Sequence, residues 1–315
     1  MYNHEWKKMK IVIAGGTGFI GGKVTQRLLE LNHQVVVLSR REGPASISYF
    51  SKDAKLTGLA WDGRTPEVLL PAIDGAAAVI NLAGETLAGR RWTNTQKTKI
   101  LNSRIETTRA LVSAIGHSGH SPKVLLNASA VGFYGNVPEG DVTESFSKGQ
   151  GFLADVCAQW EIEAQCAEKF GVRVVLLRTG IVLDTHAGIF PGLLRAFRFF
   201  LGAHFAGGKQ WFPWIHVQDE VNAILFALEN ENICGPVNLC APGIVRQKDF
   251  CSLLGRVLNR PSAISVPGMI LKILLGEMAE QLLLQGQKAV PKKLTDSGFK
   301  FSFPECEDAL NNLTG

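Results

Sequence analysis

The sequence predicts an α/β fold of the Rossmann type, a doubly wound parallel sheet carrying a smaller C-terminal α/β cap domain. Three observations lead there. Short apolar runs rich in β-branched residues alternate with longer segments of helical period; a glycine cluster follows the first run; and the rhythm changes beyond Arg178. Strands are expected at Lys10–Ala14, Gln34–Leu38, Leu56–Ala60, Ala77–Asn81, Lys123–Asn127 and Arg173–Leu177. Helices are expected at Gly18–Leu31, Thr95–Ile115 and Phe152–Phe170, each with apolar residues every three or four positions. Residues 9–180 then form a dinucleotide-binding unit. A helix at Asp219–Leu228 and a strand at Pro236–Leu239 return 214–241 to the sheet. The rest, 181–213 and 242–315, where Gly, Pro and aromatic residues cluster through Gly188–Trp214, reads as the cap or substrate domain.

Composition narrows the function classes. At 315 residues, 46% apolar and 19% charged, the chain has enough apolar material for a sizeable core and is unlike a disordered one. The 33 Lys and Arg against 28 Asp and Glu are scattered, which argues against a nucleic-acid partner. The six cysteines show no C-x-x-C spacing and read as reduced thiols, so no metal site is expected. Met1–Lys10 is polar and basic, Met9 is an alternative start, and a cytoplasmic location follows by default. The apolar stretch Met269–Leu284 is broken by Lys272, Gly276, Glu277 and Glu280, so it is read as an amphipathic helix and no membrane partner is expected.

Ile11-Val12-Ile13-Ala14-Gly15-Gly16-Thr17-Gly18-Phe19-Ile20-Gly21 places a buried strand before a glycine cluster and a helix. In that context Gly15, Thr17, Gly18, Phe19, Ile20 and Gly21 are expected to cradle a diphosphate on backbone amides at the positive end of a helix dipole. The second strand ends Leu38-Ser39-Arg40-Arg41, with no acid to hold a ribose 2′-OH. Guanidinium groups there suit a 2′-phosphate, so Ser39, Arg40 and Arg41 favour NADP(H), the alternative being a pair of solvated loop arginines. Asp62 is a candidate partner for the adenine amino group, or a plain turn aspartate. Asn81-Leu82-Ala83-Gly84-Glu85 follows the fourth strand, where small residues let backbone pass close to the coenzyme.

These segments together resemble the extended short-chain dehydrogenase/reductases. Gly89-Arg90-Arg91-Trp92, Asn127–Gly135, Phe152–Cys157 with Trp160-Glu161, Leu177–Gly180 and Trp214–Val217 are similar to the YfcH-type epimerase-family proteins. Gly235–Asn238, Arg260-Pro261, Gly276-Glu277 and Pro291–Phe301 resemble that branch's C-terminal domain of unknown function. The resemblance covers nearly the whole chain from Met9. In active members a Tyr-x-x-x-Lys pair and a Ser form the proton-transfer site. Here the pair falls on Leu153 and Cys157, which cannot replace it, while the serine survives as Ser129.

The resemblance leaves Ser129 and Tyr134 as catalytic candidates; a backbone-bonded serine and a pocket-shaping tyrosine are the alternatives. Arg104 falls near a coenzyme-facing position, or is a solvated helix arginine. Arg178 and Gly180 are expected to line the coenzyme at the sheet's carboxyl edge. His216 reads as a core histidine rather than a base. Trp211, Phe212 and Trp214 wall a pocket or fill the core, and Gly207-Gly208-Lys209 meets an anionic group of a substrate or is an exposed turn. Two functions remain: an NADP(H)-dependent oxidoreductase or nucleotide-sugar-epimerase-like enzyme on a small carbonyl or sugar-like substrate, or a non-catalytic NADP(H) sensor. A homodimer is compatible with either.

Overall fold

Order along the chain begins β1 (Lys10–Ala14), α1 (Phe19–Glu30), β2 (Gln34–Ser39), β3 (Leu56–Ala60), α2 (Leu70–Ile73), β4 (Ala78–Asn81), α3 (Asn94–His117) and β5 (Val124–Ala130). It continues through β6 (Val137–Val142), α4 (Phe152–Gln165), β7 (Arg173–Thr179), β8 (Ile181–Leu183), α5 (Phe190–Arg198) and β9 (Ala203–Phe205). Then come β10 (Trp211–Phe212), β11 (Trp214–His216), α6 (Val217–Glu229), β12 (Gly235–Leu239) and β13 (Val245–Arg246). The last named elements are α7 (Gln247–Leu258), β14 (Ile264–Val266), α8 (Gly268–Leu275) and β15 (Gln287–Ala289). This computed structural model describes residues 8–40, 54–88 and 91–315. Arg41, Gly89 and Arg90 therefore lie outside the described residues.

Seven strands form one parallel sheet in the order β12-β7-β5-β4-β1-β2-β3. From β1 the chain winds outward to β2 and β3, then returns to the other side of β1 at β4. That reversal opens a crevice at the carboxyl ends of β1 and β4. Side chains alternate between faces. Ile11 and Ile13 pack with α1 and α6 on one side, Val12 and Ala14 with α2, α3 and α4 on the other, so the strands are apolar on both faces. A third core joins Leu183, Phe190, Phe197, Phe212, Trp214, Phe250 and Leu310. Short ribbons β8–β11, β9–β14, β10–β13 and β6–β15 connect these parts. Among the described residues no helix is long and apolar enough to cross a membrane.

The differences from expectation are local and physical. α4 stops at Gln165 and not Phe170, because residues 166–170 tighten into a 3-10 turn closed by Gly171 at φ 74. β5 and β7 run past their apolar stretches to Ala130 and Thr179, carrying Ser129 and Arg178 into the sheet. Polar residues tolerate these strand ends because each finds a buried partner.

Candidate functional site

At the end of β1, Gly15 adopts φ 79, and a β-carbon there would lie 2.7 Å from the Leu82 carbonyl carbon. A β-carbon on Gly21 would lie 2.2 Å from the Gly15 oxygen. Both positions therefore accept only glycine, and the bend folds close against α1. Gly18 donates its N–H to the Gly15 oxygen at 2.9 Å. It caps α1 with no side chain of its own, and the helix has no acid in its first turn. Thr17 and Gly18 are exposed, and Phe19 and Ile20 half-buried. The arrangement leaves a positive helix terminus open to an anion.

The neighbouring loop is laid along this bend. Leu82 donates its N–H to the Ala14 oxygen at 2.9 Å. Asn81 is fully buried and donates from Nδ2 to Thr108 Oγ1 at 2.9 Å and Asn127 Oδ1 at 2.7 Å; its Oδ1 accepts from the Ala83 N–H. Arg104 packs against Gly84 and donates to the Glu85 and Ile100 oxygens at 3.1 and 2.9 Å, over the Trp160 ring. Burial holds its guanidinium below the usual arginine range. Glu85 N–H donates to Ser103 Oγ. The carboxamide of Asn81 and the guanidinium of Arg104 thus shape the Leu82–Glu85 backbone.

Ser39 ends β2 half-buried, its carbonyl accepting from Trp61 N–H, and Arg40 beyond it is exposed. Asp62 accepts from Arg64 N–H, Thr65 N–H and Thr65 Oγ1 at 2.8, 2.9 and 2.7 Å. These bonds, the Thr65 hydroxyl foremost, hold its carboxyl down at about 2. Both Asp62 oxygens are spent on its own turn.

Across the crevice stands a buried polar network. Ser129 Oγ donates to Glu161 Oε1 at 2.6 Å. Arg178 grips the same carboxylate through Nε and Nη2, each at 2.8 Å, and donates from Nη1 to the Tyr134 hydroxyl and the Glu144 oxygen. Tyr134 OH in turn donates to Asn238 Oδ1 at 2.6 Å. Glu144 Oε1 accepts from the N–H groups of Asn238 and Lys293. Burial pushes the Tyr134 phenol up to about 12 and the Cys157 thiol up to about 11. Leu153 packs against Gly132, and its N–H donates to Gln281 Oε1 at 2.9 Å. The helix positions where a phenol and an ammonium are expected thus hold an alkyl group and a neutral thiol.

Two sequence models match this chain. That for the NAD dependent epimerase/dehydratase family covers residues 11–240, and that for a domain of unknown function, DUF1731, covers 266–313. The chain belongs to the NAD dependent epimerase/dehydratase family. This epimerase-family chain is 39% identical to the epimerase family protein YfhF of Bacillus subtilis, over 97% of its own length and 98% of the relative's. It is 37% identical to ML0860 of Mycobacterium leprae, over 98% and 96%. The crystal structure of human epimerase family protein SDR39U1 with NADPH superposes with a TM-score of 0.85 at 30% identity, covering 97% of this chain and 99% of that one. A UDP-glucuronic acid 4-epimerase from Bacillus cereus, TM-score 0.75 at 19% identity, shares the fold.

The epimerase-family scaffold brings the glycine turn, Ser39, Arg40 and the Leu82–Glu85 loop to one edge of the sheet, with Ser129 farther along it. It corrects the expectation for Arg178, whose guanidinium turns inward to Glu161 and is only 4% exposed as a residue. Tyr134 is likewise committed, its hydroxyl bonded on both sides. Gly180 is pressed against the Pro213 carbonyl and Cys240 Sγ, a packing position. His216 caps α6, its Nδ1 accepting from Gln218 N–H, and stacks on Phe303. Trp214 fills the third core, while Arg246 covers the Trp211 ring. Sequence reasoning passed over Glu161, Glu144, Asn238 and Gln281 as functional groups. Glu161 and Asn238 left a trace only as members of the family-like segments Trp160-Glu161 and Gly235–Asn238.

Proposed function

We propose that this protein binds NADP(H) and acts as an oxidoreductase or nucleotide-sugar-epimerase-like enzyme on a small carbonyl or sugar-like compound. The observation that carries the reading is the glycine bend packed on Leu82 at the open end of α1, with Arg40 and no acid at the end of β2. The NADPH in the SDR39U1 structure supports the same coenzyme. The residues present fit it. Backbone at Gly15–Gly21 would hold the diphosphate, Ser39 and Arg40 with Arg41 the 2′-phosphate, and the Leu82–Glu85 backbone would pass beside the coenzyme. Bound coenzyme supplies hydride exchange. Ser129 sits where a substrate oxygen would arrive; its own proton is held by Glu161, so its oxygen is left to accept. The cap, 181–213 and 242–315, would close over that substrate. The six free thiols fit a reducing compartment such as the cytoplasm, and the chain acts alone or as a homodimer.

A second reading, a non-catalytic NADP(H) sensor, is favoured by Leu153 and Cys157 in place of the proton-transfer pair. Both readings need the coenzyme. Titrating purified protein with NADPH and NADH by fluorescence tests that need: Arg40→Ala is expected to weaken NADPH roughly tenfold or more and leave NADH unchanged. Absence of binding by either coenzyme at millimolar concentration would overturn both. NADPH oxidation with a panel of small carbonyls separates the enzyme from the sensor.

A further inference from the structure

The third core carries a surface outside the residues assigned above to the coenzyme and to Ser129. α5 ends in Arg195 and Arg198, and the chain then turns through Phe199, Phe200 and Leu201, all exposed, Phe199 at 71%. Phe200 holds the turn at φ 63, a strained conformation for a residue with a β-carbon. Beside it opens a cavity of about 330 Å³ lined by Thr185, Pro191, Leu194, Arg195, Arg198 and Phe199. No carboxylate lines it, and among the described residues neither arginine is in an ion pair. A third cation, Arg260, stacks over the Phe200 ring at 4.6 Å.

The apolar surface continues along the chain. Exposed Ile264 on β14 pairs with Ala203, two positions after Leu201. α8 follows after Pro267 and exposes Met269, at 75%, with Ile270, Ile273 and Leu274, while Leu271 turns inward. Large apolar side chains gathered in this way mark a docking surface. The charge beside them says what docks. A two-fold contact centred on this turn would bring arginines 195, 198 and 260 of both copies together, whereas an anionic surface neutralises all three.

We propose that the Phe199–Leu201 turn and α8 dock this protein on an anionic phospholipid bilayer, with a headgroup phosphate seated between Arg195 and Arg198. Aromatic and aliphatic side chains enter the interfacial region, and the guanidinium groups take phosphate oxygens through paired hydrogen bonds. The short α8, which is capped at Gly276 and carries Lys272 among its apolar residues, would lie in the plane of such a surface and not cross it.

Co-sedimentation with vesicles of phosphatidylcholine alone, and of an equimolar mixture with phosphatidylglycerol, tests this. Binding is expected on the mixed vesicles, declining as salt is raised, and little on the neutral ones. Arg195→Ala with Arg198→Ala is expected to lower vesicle affinity about thirtyfold, at roughly 1 kcal/mol per basic side chain near an anionic surface. Phe199→Ser with Ile273→Ser, both at exposed positions, lowers it at an unchanged melting temperature. The proposal is overturned if mixed vesicles leave the protein in the supernatant, or if the double-arginine variant binds like the parent. A sedimentation-velocity dimer that Phe199→Ser splits would also overturn it, assigning the face to a second copy.

Discussion

At the carboxyl end of β1 the groups open to an anion are main-chain amides on a glycine bend, set by contacts between Gly15, Gly21 and Leu82. At the carboxyl ends of β5 and β7 the polar groups are buried side chains, Ser129, Tyr134, Glu161, Arg178 and Asn238, held by one another. The first arrangement is fixed by backbone geometry over a few consecutive residues. The second exists only after distant segments have met. The two ends should therefore respond oppositely to mutation: one loses ligand and keeps its fold, the other loses stability and keeps its coenzyme.

Glu161→Ala gives the largest expected effect. It leaves the Arg178 guanidinium buried without its counter-charge, which costs about 3–5 kcal/mol, and removes the acceptor of the Ser129 proton. Thermal unfolding should show a fall of many degrees, while the preference for NADPH over NADH in the folded protein stays as in the parent. Arg40→Ala is expected to do the reverse. If Glu161→Ala melted like the parent, the network would not be the structural unit its geometry describes.

The same contrast explains what could be read from the sequence. β1–β4 and α1 were legible because apolar alternation and the glycine spacing are local signals. NADP(H) over NAD rested on the few residues closing β2, Ser39, Arg40 and Arg41, where no acid stands. The substrate end was legible only as a subtraction, Leu153 and Cys157 where a pair was missing. What fills the gap depends on α4 presenting Glu161 to two strands at once, and on Gln281, far along the chain, reaching Leu153 N–H. No spacing rule announces such partners. The reading of Arg178 as a ligand-facing residue failed for the same reason: its position at the carboxyl edge was right, but its side chain had a nearer carboxylate.

Glu220 extends the side-chain arrangement to the other face of β7 and should show an intermediate effect. Its carboxyl is buried, Oε1 accepts from Thr179 Oγ1 at 2.9 Å, Oε2 has no partner, and burial pushes it up to about 8. With the folded value above the unfolded one, near 4.5, the contribution to stability is fully present below pH 4.5. It is lost progressively as pH rises to about 8. Glu220→Gln, which cannot ionise, should be close to neutral at pH 5. Near pH 8 it should stabilise the protein by roughly 2–4 kcal/mol. Urea unfolding at the two pH values measures the difference, and equal shifts at both would show that Glu220 ionises freely in the fold.

Tyr134→Phe is the smallest change and the sharpest division between a catalytic and a structural phenol. Removing the hydroxyl leaves the ring in place against Phe133 and Phe146, at centroid distances of 5.5 and 6.2 Å. It deprives Asn238 Oδ1 of a donor and Arg178 Nη1 of one acceptor. Arg178 keeps Glu161 and the Glu144 oxygen, so the cost should stay near 1–2 kcal/mol, well below that of Glu161→Ala. A phenol raised to about 12 and bonded on both sides is a poor proton donor at neutral pH, so any NADPH-linked turnover should survive the substitution within a few-fold, with an unchanged pH profile. Loss of turnover without loss of stability would instead make Tyr134 the proton donor and Ser129 its companion. The network around Arg178 would then have to open when substrate binds.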